Sequence, residues 1–102
     1  MAAASQPTRQ FASNVKREMV ARGLSLAEVA ELAELSLYHL NLILRGERKV
    51  QLDTLVKLAG ALGVPPERLL AGVEWVSDGR GGGEFRTLPE PRSGEGRSRE
   101  VR

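Results

Sequence analysis

The sequence has no cysteine in 102 residues, which excludes disulfides and thiolate metal sites and leaves packing alone to hold any fold. A reducing compartment is the matching environment. Histidine occurs once, at His39, without a cysteine or second histidine to share a metal, so no metal site is expected. Residues 1 to 10 (MAAASQPTRQ) lack the apolar centre of a signal peptide, and no later run approaches a membrane span. The expectation is a cytoplasmic protein with no membrane partner. An excess of one charge is also missing: 15 Lys and Arg against 13 Asp and Glu give a net +2, compatible with nucleic acid but far from a histone-like composition. Catalytic constellations are absent too, with no Ser/His/Asp set, paired-carboxylate spacing or phosphate loop. The glycine run GRGGGE at 79 to 84 is read as neither following a strand nor opening a helix. No enzyme activity and no cofactor are expected.

What is present is a hydrophobic content of 41%, enough for one small core. The reading divides the chain into a flexible N-terminus (residues 1 to 9), a folded domain (10 to 76) and a tail (77 to 102). The tail carries most of the glycine and sets six arginines (80, 86, 92, 97, 99, 102) against five acids (78, 84, 90, 95, 100). With only Phe85, Leu88 and Val101 to bury, it is expected to be disordered.

Within the domain, Phe11, Val15 and Met19 recur at i, i+4 spacing up to Gly23, which predicts a first helix ending in a left-handed residue. Ser25 with Glu28 reads as a capping box, with Leu24 and Val29 as its staple, so a second helix spans 26 to 33. After the turn Glu34-Leu35, Ser36 caps a third helix over 37 to 44, stapled by Leu35 and Leu40. Two short helices joined so tightly must cross steeply, which is the form of a helix-turn-helix. Arg45-Gly46 ends the third helix. Leu52, Leu55, Val56, Leu58, Ala59 and Leu62 give a fourth, stopped by Gly63, and Pro65-Pro66-Glu67 opens a short fifth through Leu70. Val73, Glu74 and Trp75 alternate as a brief extended segment, in which Trp75 either closes the core beneath helix five, the favoured reading, or joins an arm exchanged across a dimer.

The runs F-A-S-N-V-K-R, M-V-A-R-G-L-S, E-V-A, I-L-R-G-E-R and L-D-T-L-V-K-L-A-G-A-L-G-V-P-P-E, in that order between Phe11 and Leu70, resemble the Xre/phage-repressor (Cro-like) helix-turn-helix family. The resemblance implies an all-α, compact five-helix, lambda-repressor-like DNA-binding domain. In such a domain helix three enters the major groove of double-stranded DNA and helix two crosses the backbone, in a two-fold homodimer. The function implied is sequence-specific transcriptional regulation, as a repressor.

Carried over by position, the residues facing bases are Leu37, Tyr38, His39, Asn41 and Leu42. The helical period agrees, since Leu40, Ile43 and Leu44 share the inward face. Asn41 is the strong reader, its amide matching adenine N6 and N7, while Tyr38 and Leu42 suit thymine methyls. Phosphate contacts are expected from Arg45, Arg48 and Lys49, from Ser25, Ser36 and Gln51 at helix starts, and from Lys16 and Arg17 on helix one. An apolar helix three also suits a protein partner. Two alternatives therefore stand beside the repressor: an antitoxin-type autoregulator, and a repressor-like interaction module.

Overall fold

The computed structural model describes residues 5–87. Four α-helices come first: α1 (Gln6–Arg22), α2 (Leu26–Ala33), α3 (Leu37–Leu44) and α4 (Leu52–Leu62). A 3-10 turn at Pro66–Leu70 and a hairpin of β1 (Val73–Ser77) and β2 (Gly83–Thr87) follow.

Each helix start has a chemical cause. Ser5 caps α1 by accepting from the Thr8 amide at 3.3 Å, and Pro7 supplies a preset φ in the first turn. Ser25 accepts from the Glu28 amide at 3.1 Å while Glu28 accepts from the Ser25 amide at 2.7 Å, a complete capping box. Ser36 accepts from the His39 amide at 3.0 Å. The stops share one device: Leu24, Leu35, Glu47 and Val64 each donate back across a left-handed residue to a carbonyl of the last turn. At three of those positions the left-handed residue is glycine; at the turn between α2 and α3 it is Glu34, with φ 59°.

The apolar faces meet in one core. Phe11, Val15, Val29, Leu40, Ile43, Leu58, Leu62 and Leu69 are buried, and α2 packs most extensively on α4. Leu44, expected to face fully inward, is half-buried against this cluster. Two polar groups are buried with purpose. Asn14 donates to the carbonyls of Leu69 (2.9 Å) and Ala71 (3.0 Å) and accepts from Gln10 (3.0 Å), tying α1 to the end of the 3-10 turn. Glu18 is held between Arg22 and Arg68, the latter at 3.7 Å.

The architecture corrects the expectation in five places. The fifth helix is a single short 3-10 segment, because Pro65 precedes it and Pro66 opens it, Gly72 follows shortly after its end, and five residues leave little room for an α-helical ladder. The fold is therefore mostly helical and not all-α. Residues 6 to 9, placed in a flexible N-terminus, belong to α1; residues 1–4 lie outside the described part. The tail expected to be disordered from residue 77 begins with a hairpin, in which Trp75 lies opposite Phe85 and Glu74 opposite Arg86; residues 88–102 lie outside the described part. The glycine run does follow a strand. Its loop is closed by Asp78, which accepts from the amides of Arg80 (2.7 Å) and Gly82 (3.1 Å). Trp75 is not in the core: it is 54% exposed and meets Phe85 edge to face, centroids 5.0 Å apart.

Candidate nucleic-acid interface

Helix α3 is attached to the core by Leu40 and Ile43 alone among its fully buried residues, which sets the rotation of every other side chain on it. Tyr38 is 71% exposed, and Leu37 and Asn41 lie on the same open surface. His39 and Leu42, the other two residues expected to face bases, are half-buried at its flanks. Asn41 is the one carboxamide on α3, and its exposed amide has no hydrogen-bond partner among the described residues. The helix carries no Lys or Arg.

The basic cluster begins where α3 stops. Gly46 takes φ +73° there and is buried beneath Arg9: a Cβ at this position would stand 3.4 Å from the Arg9 Cα, so α1's first turns rest on the turn leaving α3. A side chain at 46 is strained by the left-handed backbone angle, and its Cβ would sit in tight contact with Arg9. Beyond it, Arg48 and Lys49 are exposed and free of ion pairs among the described residues. Arg45 is engaged differently, lying 3.7 Å from the Glu47 carboxylate with both side chains largely in solvent. An anion approaching Arg45 must therefore compete with Glu47.

The helix starts are not equivalent as anion sites. At α2 the Glu28 carboxylate already occupies the positive end of the dipole, and hydrogen bonds from the Ser25 amide and hydroxyl hold its pKa below the usual carboxylate value. Ser36 Oγ is committed to the α3 cap. The α4 start is uncapped, since Gln51 makes no side-chain cap bond, but Asp53 brings a carboxylate into its first turn. This start lies directly after Arg48 and Lys49. Lys16 is exposed on α1, whereas Arg17 on that helix is partly buried and has a partner.

Three features were not anticipated. Glu47 sits inside the cluster read as purely basic; its charge was in plain view at two residues from Arg45. Lys57 of α4 lies 3.6 Å from Glu34, bracing the helix-turn-helix turn, a contact that no spacing rule reveals across 23 positions. Arg9 at the α3 exit was hidden by placing the start of α1 too late.

The fold and this arrangement define a helix-turn-helix protein, the class of DNA-binding transcription regulators. The chain belongs to the helix-turn-helix family HTH_3, whose family model matches residues 15–69, more than half of its length. Among solved structures it resembles the restriction-modification controller protein C.AhdI from Aeromonas hydrophila, at 32% identity over 61% of this chain and 94% of that one, with a TM-score of 0.59. It also resembles the hypothetical transcription factor NHTF from Neisseria (28% identity, 64% and 75% covered, TM-score 0.61). An HTH_3 family transcriptional regulator from Vibrio cholerae is similar at 33% identity and TM-score 0.59, over 62% of this chain and 35% of that longer one. No curated protein matches the chain.

Proposed function

We propose that the protein is a sequence-specific repressor that lays α3 in the major groove of double-stranded DNA as a two-fold dimer. The observation that carries this is the combination of an exposed carboxamide at Asn41 with Arg48 and Lys49, both exposed and free of ion pairs among the described residues, and the uncapped start of α4 just downstream. A carboxamide reads adenine bidentately, and cations beside uncapped amides hold the phosphodiester backbone in register. Tyr38 and Leu37 supply apolar contact to thymine methyls. Arg45 joins the backbone contacts by exchanging Glu47 for phosphate. Ser36 contributes through its hydroxyl proton, its oxygen being occupied in the α3 cap, whereas at the α2 start the Ser25 hydroxyl is turned to Glu28 and contributes by holding that cap in place.

The test is a selection of bound sites from random duplexes, followed by titration of Asn41→Ala against the selected operator and random DNA at two salt concentrations. The variant should lose about 1–3 kcal/mol on the operator and little on random sequence. Undiminished operator preference would remove Asn41 from the site. A second reading has one observation in its favour: Tyr38 and Leu37 form an exposed apolar surface on α3, suited to a protein partner such as a cognate toxin. It predicts that Tyr38→Ala impairs partner capture while DNA affinity is unchanged.

A further inference from the structure

The hairpin lies beyond the part of the chain that the helix-turn-helix family model matches, and its outer edge is unpaired. The Asp78 amide donates to the Gly82 carbonyl at 2.9 Å, which fixes the hydrogen-bonding phase of the ladder. Stepping along the register, Val76 with Glu84 and Glu74 with Arg86 are the bonded pairs, and Trp75 with Phe85 is a non-bonded pair. The N–H and C=O groups of Gly83, Phe85 and Thr87 therefore point away from β1, along an edge with no strand beside it among the described residues. All five residues of β2 are exposed.

That edge is self-complementary. The strand reads Gly-Glu-Phe-Arg-Thr, with Glu84 and Arg86 lying 3.5 Å apart as a solvent-exposed pair; a second copy running antiparallel about an axis at Phe85 brings Glu84 opposite the partner's Arg86 and Arg86 opposite the partner's Glu84, so that each charge exchanges its intrastrand partner for one across the seam. We propose that β2 is the edge through which two copies of this chain pair, forming a four-stranded sheet centred on Phe85. Every outward backbone group of Gly83, Phe85 and Thr87 finds its counterpart in this register. On one face the charges alternate across the sheet, from Glu74 to Arg86 to the partner's Glu84. On the other, the half-exposed Trp75 and Phe85 rings meet the same two rings of the partner and leave water. The β1 edge has no such match, since the same operation about Trp75 sets Glu74 against Val76. Gly83 contributes by its lack of a side chain: a Cβ there would lie 2.5 Å from the Val76 carbonyl oxygen and 2.6 Å from the Trp75 ring, so only glycine leaves room for the indole beside it.

The inference rests on the two-fold reading of the proposed function and supplies its interface. Sedimentation equilibrium of the full chain tests it with two charge reversals, Glu84→Arg and Arg86→Glu. Each alone turns both opposite-charge pairs into like-charge pairs and should weaken dimerisation about 30-fold. An equimolar mixture of the two variants restores both pairs and should recover the parental dimer as a heterodimer. Near-ultraviolet signals of Trp75 check that each hairpin is intact. Should a reversal unfold the hairpin, Thr87→Pro replaces it, because the Thr87 amide faces only the outer edge; it too should weaken the dimer. A chain that is monomeric throughout, single variants that dimerise like the parent, or a mixture no stronger than its components each overturn the proposal. A dimer that ignores all three substitutions overturns this interface while leaving two-fold DNA binding intact, and a one-to-one complex on DNA overturns that reading separately.

Discussion

Replacing Asn14 by alanine should destabilise the protein out of proportion to the atoms removed. The side chain is fully buried in α1, and its amide satisfies two carbonyls at the end of the 3-10 turn, Leu69 at 2.9 Å and Ala71 at 3.0 Å. Alanine leaves both without that donor. An orphaned buried carbonyl costs about 1–3 kcal/mol, with the partly accessible Ala71 group at the low end, for roughly 2–4 kcal/mol together. The higher helix propensity of alanine returns about 0.5 kcal/mol. For a domain of this size a net loss of about 2–3 kcal/mol lowers Tm by roughly 10–20 °C. Urea and thermal unfolding measure it, and Trp75, the sole tryptophan, reports whether the hairpin that follows Ala71 loosens first. Gln10→Ala, which removes only the 3.0 Å bond to the Asn14 carbonyl oxygen, should cost about 1 kcal/mol or less. If Asn14→Ala melted within a degree or two of the parent, the 3-10 turn would not be held to α1 by this residue.

Three further outcomes follow from particular contacts. Glu34→Gly relieves a left-handed backbone at the cost of a solvent-exposed pair with Lys57 and should stabilise by roughly 0.5–1 kcal/mol in thermal melts; a loss would mean that the ion pair outweighs the strain. The Glu28 carboxyl is held below its usual pKa by Ser25, so its contribution is fully present above the unfolded carboxylate range and lost as pH falls through the lower folded value. Parent and Glu28→Ala should accordingly differ in Tm at neutral pH and converge in acid, and a difference that persists there would show that the ionised form is not what stabilises the cap. Replacing Arg45, Arg48 and Lys49 together by alanine should weaken operator and random DNA alike and reduce the log-log salt slope by about 0.9 per lost phosphate contact; an unchanged slope would remove this cluster from the footprint.

The helical half of the fold was legible because its signals are local. Ser25, Glu28 and Ser36 act within three residues of the amides they cap, and the apolar repeat of Val29, Leu40, Ile43 and Leu58 matches the helical period. The start of α1 was written in the same language, with Ser5 as cap and Pro7 in the first turn, but the apolar repeat begins only at Phe11 and masked it. The hairpin was legible only in part. Val73 and Trp75 alternate, yet their partner strand offers a single large apolar residue, Phe85, inside a stretch whose charge and glycine content resemble an unfolded tail. What makes it a strand is a pairing across the loop and one ring contact, neither of which has a fixed sequence spacing. In the candidate site, exposure followed from the helical period for Tyr38 and Asn41. The pairing of Arg45 with Glu47 depends on side-chain placement that no periodicity encodes.

On the proposed function, the composition of α3 makes a second copy necessary for operator recognition. With no Lys or Arg on the helix, one protomer has a single bidentate reader, Asn41, contributing about 1–3 kcal/mol of discrimination. That is roughly a 5- to 150-fold preference, below the 10³–10⁷ typical of specific binding. Two protomers on half-sites about 34 Å apart double the free energy to about 2–6 kcal/mol, and its upper half reaches that range. Since pairing through β2 alone makes a small interface, the free dimer that sedimentation resolves at high protein concentration should dissociate at the lower concentrations of a DNA titration and re-form on the operator, where both DNA contacts and strand pairing add to its stability. Operator occupancy should then rise more steeply than linearly with protein concentration, and Arg86→Glu should flatten that rise. On an isolated half-site the same variant should bind like the parent, apart from a small loss from its changed charge. Titrating both duplexes by mobility shift separates the two effects. Equal losses on half-site and full operator would show that Arg86 acts on DNA directly and that cooperativity does not pass through the hairpin.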